Sequence, residues 1–186
     1  KDAAINYSVP FMNLTPEDGC NGLAVVDFGP MAPGWSNSTG ANLGWSRNLL
    51  GIRCYYMVYN SDNGGGQPVG WNHNRANMDT QIGGRRQDFT RSGSIVTNIT
   101  ALFAGSCLNV RNGELYVDGV KTNMTYVPKG GWHLIEIHTA GPVQANCFGN
   151  CFEYYVHGGF RMGETLVYER VLSERERVAT RNYLLK

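Results

Sequence analysis

The run from Gly158 to Lys186, GGFRMGETLVYERVLSERERVATRNYLLK, constrains this chain more than any other stretch. Met162, Thr165 to Tyr168 and Val171 make a β-rich apolar series, the composition of a buried strand. Ser173 then stands where a helix N-cap belongs. Glu174 and Glu176 fall in the first turn, and Glu176 occupies the capping-box position three residues on. Val178, Tyr183 and Leu184 can share one side of the helix that follows, and Leu185 extends it. The expectation is a strand that delivers a short, charged helix over Ser173 to Leu185.

Upstream, turn chemistry sets the pattern. Glu114-Leu115-Tyr116-Val117, Asp118-Gly119 and Val120-Lys121-Thr122 read as strand, turn and strand, because both central positions of a type I′ turn need positive φ. Leu108 to Arg111 before Asn112-Gly113 reads the same way, so the pair predicts a three-stranded meander. Further strands are expected at Leu23 to Phe28, Leu49 to Tyr59, Pro68 to Trp71, Ser94 to Phe103 and Trp132 to His138. In the last of these, alternation puts Trp132, Leu134 and Glu136 on one face, without marking which face is inner. Pro30 to Ser46 and Asn72 to Gly93 read as connections, the second with a short strand or two.

The 24 glycines suit turns better than long helices, and 186 residues suit one larger all-β domain. A formal net charge of +1 gives no footprint for nucleic acid, and no apolar run of about 18 residues exists to span a membrane. The opening residues Lys1 to Asn6 lack a signal-peptide core, so either the numbering is that of a mature or excised fragment or export is absent. Five cysteines leave at least one thiol unpaired within the chain. Cys147 and Cys151 bracket a three-residue loop short enough for a disulfide, while free buried thiols are the alternative. Sequons begin at Asn6, Asn13, Asn37, Asn98 and Asn123 and matter only in a secretory pathway.

The C-terminal series of glycine-glutamate, apolar run, tyrosine, arginine, leucine-serine, glutamate-arginine and tyrosine-leucine resembles the signature of LamG-like jelly-roll domains of the concanavalin A-like superfamily. With a glycine and an apolar residue before it, the series falls on Gly158 through Leu184. The hairpin Leu115-Tyr116-Val117-Asp118-Gly119 and the strand opening Trp132-His133 are similar to that family too. The resemblance covers about Gly51 to Leu184. It implies an all-β fold: an antiparallel two-sheet jelly-roll sandwich with a short C-terminal helix, a single domain over 1–186, forming a module of a larger extracellular or cell-surface protein.

Function is read from residue types. Glucanases of this superfold set acids at alternate strand positions, and no strand here carries that spacing. Lyases of the fold would need a Gln-x-His strand, which Ile135-Glu136-Ile137-His138 imitates only in part. His73, His133, His138 and His157 are scattered and read as structural. No cofactor is implied; calcium, common in relatives, could sit on oxygen-rich loops such as Asp62-Asn63 or Asp79. The segment Trp71-Asn72-His73-Asn74-Arg75, with Arg85, Arg86 and Asp88, has an aromatic face beside amide and guanidinium donors, the set that sugar recognition needs. Trp71, Asn74, Arg75 and Arg85 are therefore the expected ligand site of a non-catalytic carbohydrate-binding or adhesion module. The partners would be a glycan or cell-surface ligand and neighbouring domains of the parent protein. A glycan-active hydrolase or lyase of the same fold, or a structural domain with no ligand, is the alternative.

Overall fold

The structure, a computed structural model, describes residues 11–13, 20–27, 43–61, 78–79, 108–123, 131–148 and 160–186. Trp71, Asn74, Arg75, Arg85 and Cys151 lie outside them, as do the strands expected at Pro68 to Trp71 and Ser94 to Phe103.

The described chain is mostly antiparallel sheet. Its strands are β1 (Phe11–Asn13), β2 (Val25–Asp27), β3 (Leu43–Ser61), β4 (Met78–Asp79), β5 (Glu114–Val117), β6 (Val120–Thr122), β7 (Trp132–Phe148) and β8 (Phe160–Tyr168). The helices are α1 (Leu108–Arg111) and α2 (Glu174–Leu184). One sheet runs in the order β1-β2-β8-β3-β7-β5-β6, with β4 pairing β7 off that path. Its spine is β3 against β7, two long strands, and β3 begins inside the stretch read as a connection up to Ser46.

Both faces of the central strands are buried, which is why alternation in Trp132 to His138 pointed to no inner face. On one face Tyr55, Met57, Tyr59, Leu115, Val117, Ile135 and Ile137 pack together with Val110 of α1. On the other, Cys54, Tyr56 and Leu134 pack with Leu172, and Leu166, Tyr168 and Leu184 close around them. The first face is apolar; the second also carries charge.

The Asp118-Gly119 turn forms as expected, with φ of 52° and 79°, and it joins β5 to β6. Asp118 does more than turn. Its Oδ1 accepts from the Leu134 amide at 2.8 Å and its Oδ2 meets His133 Nδ1 at 2.7 Å, tying the hairpin to β7. The Asn112-Gly113 pair departs from expectation. Leu108 to Arg111 is one helical turn, closed by Asn112 N–H donating to the Leu108 carbonyl at 2.9 Å, so the meander has two strands rather than three. Gly113 is needed for another reason: a Cβ there would run into the His138 carbonyl of β7. Close approach of two backbones, not positive φ, selects glycine at this position.

α2 is capped as read. Ser173 accepts from the Glu176 amide, and the Glu176 carboxylate returns to the Ser173 amide at 2.8 Å. Arg170 grips that carboxylate with distances of 2.7 and 3.1 Å. The Arg170 hydrogen bonds, with those from Ser173, pull the Glu176 carboxyl down to about 2. No residue of α2 is fully buried: Val178 and Tyr183 are exposed, while Leu184 packs against the sheet. Val171 lies past the end of β8 and is exposed.

Candidate functional site

Register brings the chemistry-bearing residues into rows across the sheet. Leu166 of β8, Tyr56 of β3, Glu136 of β7, Tyr116 of β5 and Lys121 of β6 are successive cross-strand partners. The next row is Tyr168, Cys54, His138 and Glu114. Side chains two apart on a strand share a face, so both rows point to the side that α2 covers. Glu136 lands at the centre of the sheet with 0% exposure.

A carboxylate so placed must be compensated, because isolated burial of its charge is prohibitive. The helix supplies the main counter-charge. Arg181 donates from Nε to Glu136 Oε2 at 2.7 Å and from its terminal nitrogen to Oε1 at 3.0 Å, a two-pronged grip. Arg177, one turn earlier, holds its Nε 3.7 Å from Oε1. Both guanidinium groups lie over the Tyr116 ring, at 5.1 and 5.2 Å from its centre, within cation–π range. Tyr56 donates its hydroxyl to Oε1 at 3.3 Å. Gly119, over which Arg181 passes, leaves room for the arginine stem that a Cβ would obstruct. Apolar pegs bracket the ionic contact: Leu172 just before the cap and Leu184 in the last turn.

The carboxylate is also the end of a relay. His138 Nε2 sits 2.5 Å from Glu136 Oε1, and His138 Nδ1 lies 3.2 Å from Cys54 Sγ. An ionised carboxylate only accepts, so Nε2 carries the hydrogen and Nδ1 faces the thiol. Burial alone would push Glu136 up; the hydrogen bonds from His138 and Arg181 and their charges overcome it and hold the carboxyl below its ordinary range. For His138, burial works downward, but the contacts with Cys54 and Glu136 prevail and raise it above 6.5.

Thiol, imidazole and carboxylate in that order are the components of a nucleophile, its base and the orienting acid. Here they are sealed. Cys54 has 1% exposure, with Leu172 and Tyr168 packed against it, so among the described residues the sulfur is closed off from a substrate. What the arrangement does is seat α2 on the sheet in one orientation.

An open site adjoins this seat. A groove of about 510 Å³ lies where β2, β8 and the end of α2 meet. Leu23, Val25, Val58, Met162 and Leu184 are among its lining residues, with Asn21, Glu164, Tyr183 and Lys186 as polar members. Tyr183 donates its hydroxyl to Glu164 Oε1 at 3.2 Å, and Asn21 Nδ2 donates to the Lys186 carbonyl at 3.2 Å. Cys20, a free and partly exposed thiol, stands at the edge.

The residues expected to bind ligand, Trp71, Asn74, Arg75 and Arg85, all fall outside the described part. Of the expected disulfide, Cys147 is placed near the end of β7, its backbone opposite Gly44 and Asp79, and Cys151 lies outside. Asp79, one of the calcium candidates, belongs to β4. Among the described residues no group of three or more His, Cys, Asp or Glu is arranged to hold a metal, and no helix is long and apolar enough to cross a membrane. Sequence reasoning missed Glu136, Arg177 and Arg181. An acid inside an isoleucine-rich strand was the available signal, with two arginines one helical turn apart as its complement. Comparisons with protein-family models, with curated proteins and with solved structures find no match.

Proposed function

We propose that this chain is a non-catalytic carbohydrate-binding or adhesion module of an extracellular protein, built as a LamG-like two-sheet jelly roll. The observation that carries this reading is how the described reactive groups are used. Cys54, His138 and Glu136, the set closest to a catalytic constellation, are closed under α2 and engaged in holding it. The fold reading draws on the antiparallel sheet, the Asp118-Gly119 hairpin and the capped terminal helix. It draws also on the apolar face, where Tyr55 and Ile137 have 0% exposure, as the inner side of a sandwich requires. Glycan contact is assigned to Trp71, Asn74, Arg75 and Arg85, where ring stacking and hydroxyl recognition would combine.

A glycan array probed with the chain, followed by calorimetric titration of the best ligand against Trp71→Ala and Arg75→Ala, tests this. Each substitution should weaken binding by about 2 kcal/mol, roughly thirtyfold. If the array stays blank, the module reading fails. If both folded variants bind like the parent, the assigned site is wrong. Turnover of a polysaccharide would favour the enzyme reading instead.

A further inference from the structure

The groove beside α2 has a chemistry of its own. Its floor is apolar: Val25 and Met162 are almost fully buried, and Val58 and Leu184 are partly so. Its volume, about 510 Å³, lies in the range of small-molecule sites, roughly 300–1,000 Å³, and is small for a protein partner. The rim is rich in acceptors. Tyr183 spends its hydroxyl hydrogen on Glu164, so the phenol turns oxygen lone pairs to the groove, and the carboxylate has lone pairs beyond the one Tyr183 uses. Asn21 uses an amide hydrogen on the Lys186 carbonyl and keeps its Oδ1 as a further acceptor. Lys186 brings a cation on a long flexible stem, whereas Glu164 belongs to β8 and is pinned by Tyr183.

We infer that this groove binds a small molecule with an apolar body and a hydrogen-bond-donating head, an alcohol or an amine, with Glu164 and Tyr183 as the head's acceptors. The apolar body fills the valine- and methionine-lined floor. The head gives its hydrogen to the fixed carboxylate. An anionic head would set its charge against the Glu164 carboxylate, with only the flexible Lys186 cation to offset it. The inference does not depend on the glycan reading, because a polyhydroxylated sugar would press hydroxyls against Val25 and Met162 with no partner.

The test uses three probes with one body and different heads: 2-phenylethylamine, 2-phenylethanol and 3-phenylpropanoate. Each is titrated into the full chain and followed by amide NMR shifts. In parallel, alkylation of Cys20 by N-ethylmaleimide is measured by peptide mass mapping, since Cys20 borders the groove. Amine and alcohol should shift Val25, Met162 and Leu184 and slow Cys20 alkylation, with the carboxylate about tenfold weaker. Glu164→Gln should weaken the amine by about tenfold. Ala24→Trp, at an exposed lining position, should block both probes while the melting temperature holds. No binding by any probe, equal binding of all three, or shifts that map away from the groove would overturn the proposal.

Discussion

The two faces of β3 and β7 are made by the same strands and held by different physics. On one face Tyr55, Met57, Ile135 and Ile137 interlock as apolar volume. On the other, Cys54, Tyr56, Glu136 and His138 stand in the same register but are held by charge and hydrogen bonding to a helix with no fully buried residue of its own. A volume-packed face loses stability in proportion to what is removed. A charge-seated face loses it when one partner is removed and recovers when both are.

That contrast predicts the largest effect at Arg181. Arg181→Ala leaves Glu136 buried without its principal partner, and urea unfolding should show a loss of about 3–5 kcal/mol. Replacing both partners, as Glu136→Leu with Arg181→Met, should restore part of it, since the two opposite charges leave together while His138 and Tyr56 lose an acceptor. If the double variant is as unstable as the single, the seat is not governed by charge satisfaction. On the opposite face, Ile137→Val should cost about 1 kcal/mol, the ordinary value for one buried methyl. No second substitution across that face should rescue it by removing a charge.

How much of this could be read beforehand follows the range of each interaction. The Ser173 cap and the Asp118-Gly119 turn were legible because all their determinants lie within four residues. The seat was not, because the alternation Ile135-Glu136-Ile137-His138 is that of a strand with one wet face. Only the pairing of Tyr56, Glu136 and Tyr116 across three strands, separated by up to 80 residues, puts the acid under a helix. Arg177 and Arg181 likewise have the spacing of a solvated helix face. Asn112-Gly113 misled because the same dipeptide serves a hairpin and the end of a helical turn. What decides between them is a distant backbone, the His138 carbonyl. The expected ligand residues around Trp71 lie outside the described part.

The cap offers a smaller, local contrast with the seat. Ser173→Ala removes the acceptor for the Glu176 amide and should cost about 1 kcal/mol. Because Glu176 is drawn down to about 2 from an ordinary 4.5, its share of stability is present above 4.5 and fades as pH falls toward 2. Unfolding midpoints of the parent and of Glu176→Gln, measured across that interval, should converge at the acid end.

The finest distinction between the two faces is pH dependence in the neutral range, which the apolar face cannot have. Glu136 is lowered in the folded chain, so it contributes above its ordinary 4.5 and loses that contribution as pH falls through the depressed value. His138 is raised, so it contributes fully below its ordinary 6.5 and loses that contribution as pH rises through the elevated value. Together they place the optimum of the seat between these values, on the mildly acidic side. Unfolding free energy followed from pH 5 to pH 8 should therefore decline for the parent as His138 loses its proton. His138→Gln keeps a hydrogen-bonding side chain beside Glu136 and abolishes the titration, so its profile should be flatter than the parent's over the same range. Ile137→Val should follow the parent's slope at a lower level. If His138→Gln declines as steeply as the parent, the imidazole is not the group that makes the helix-bearing face respond to pH.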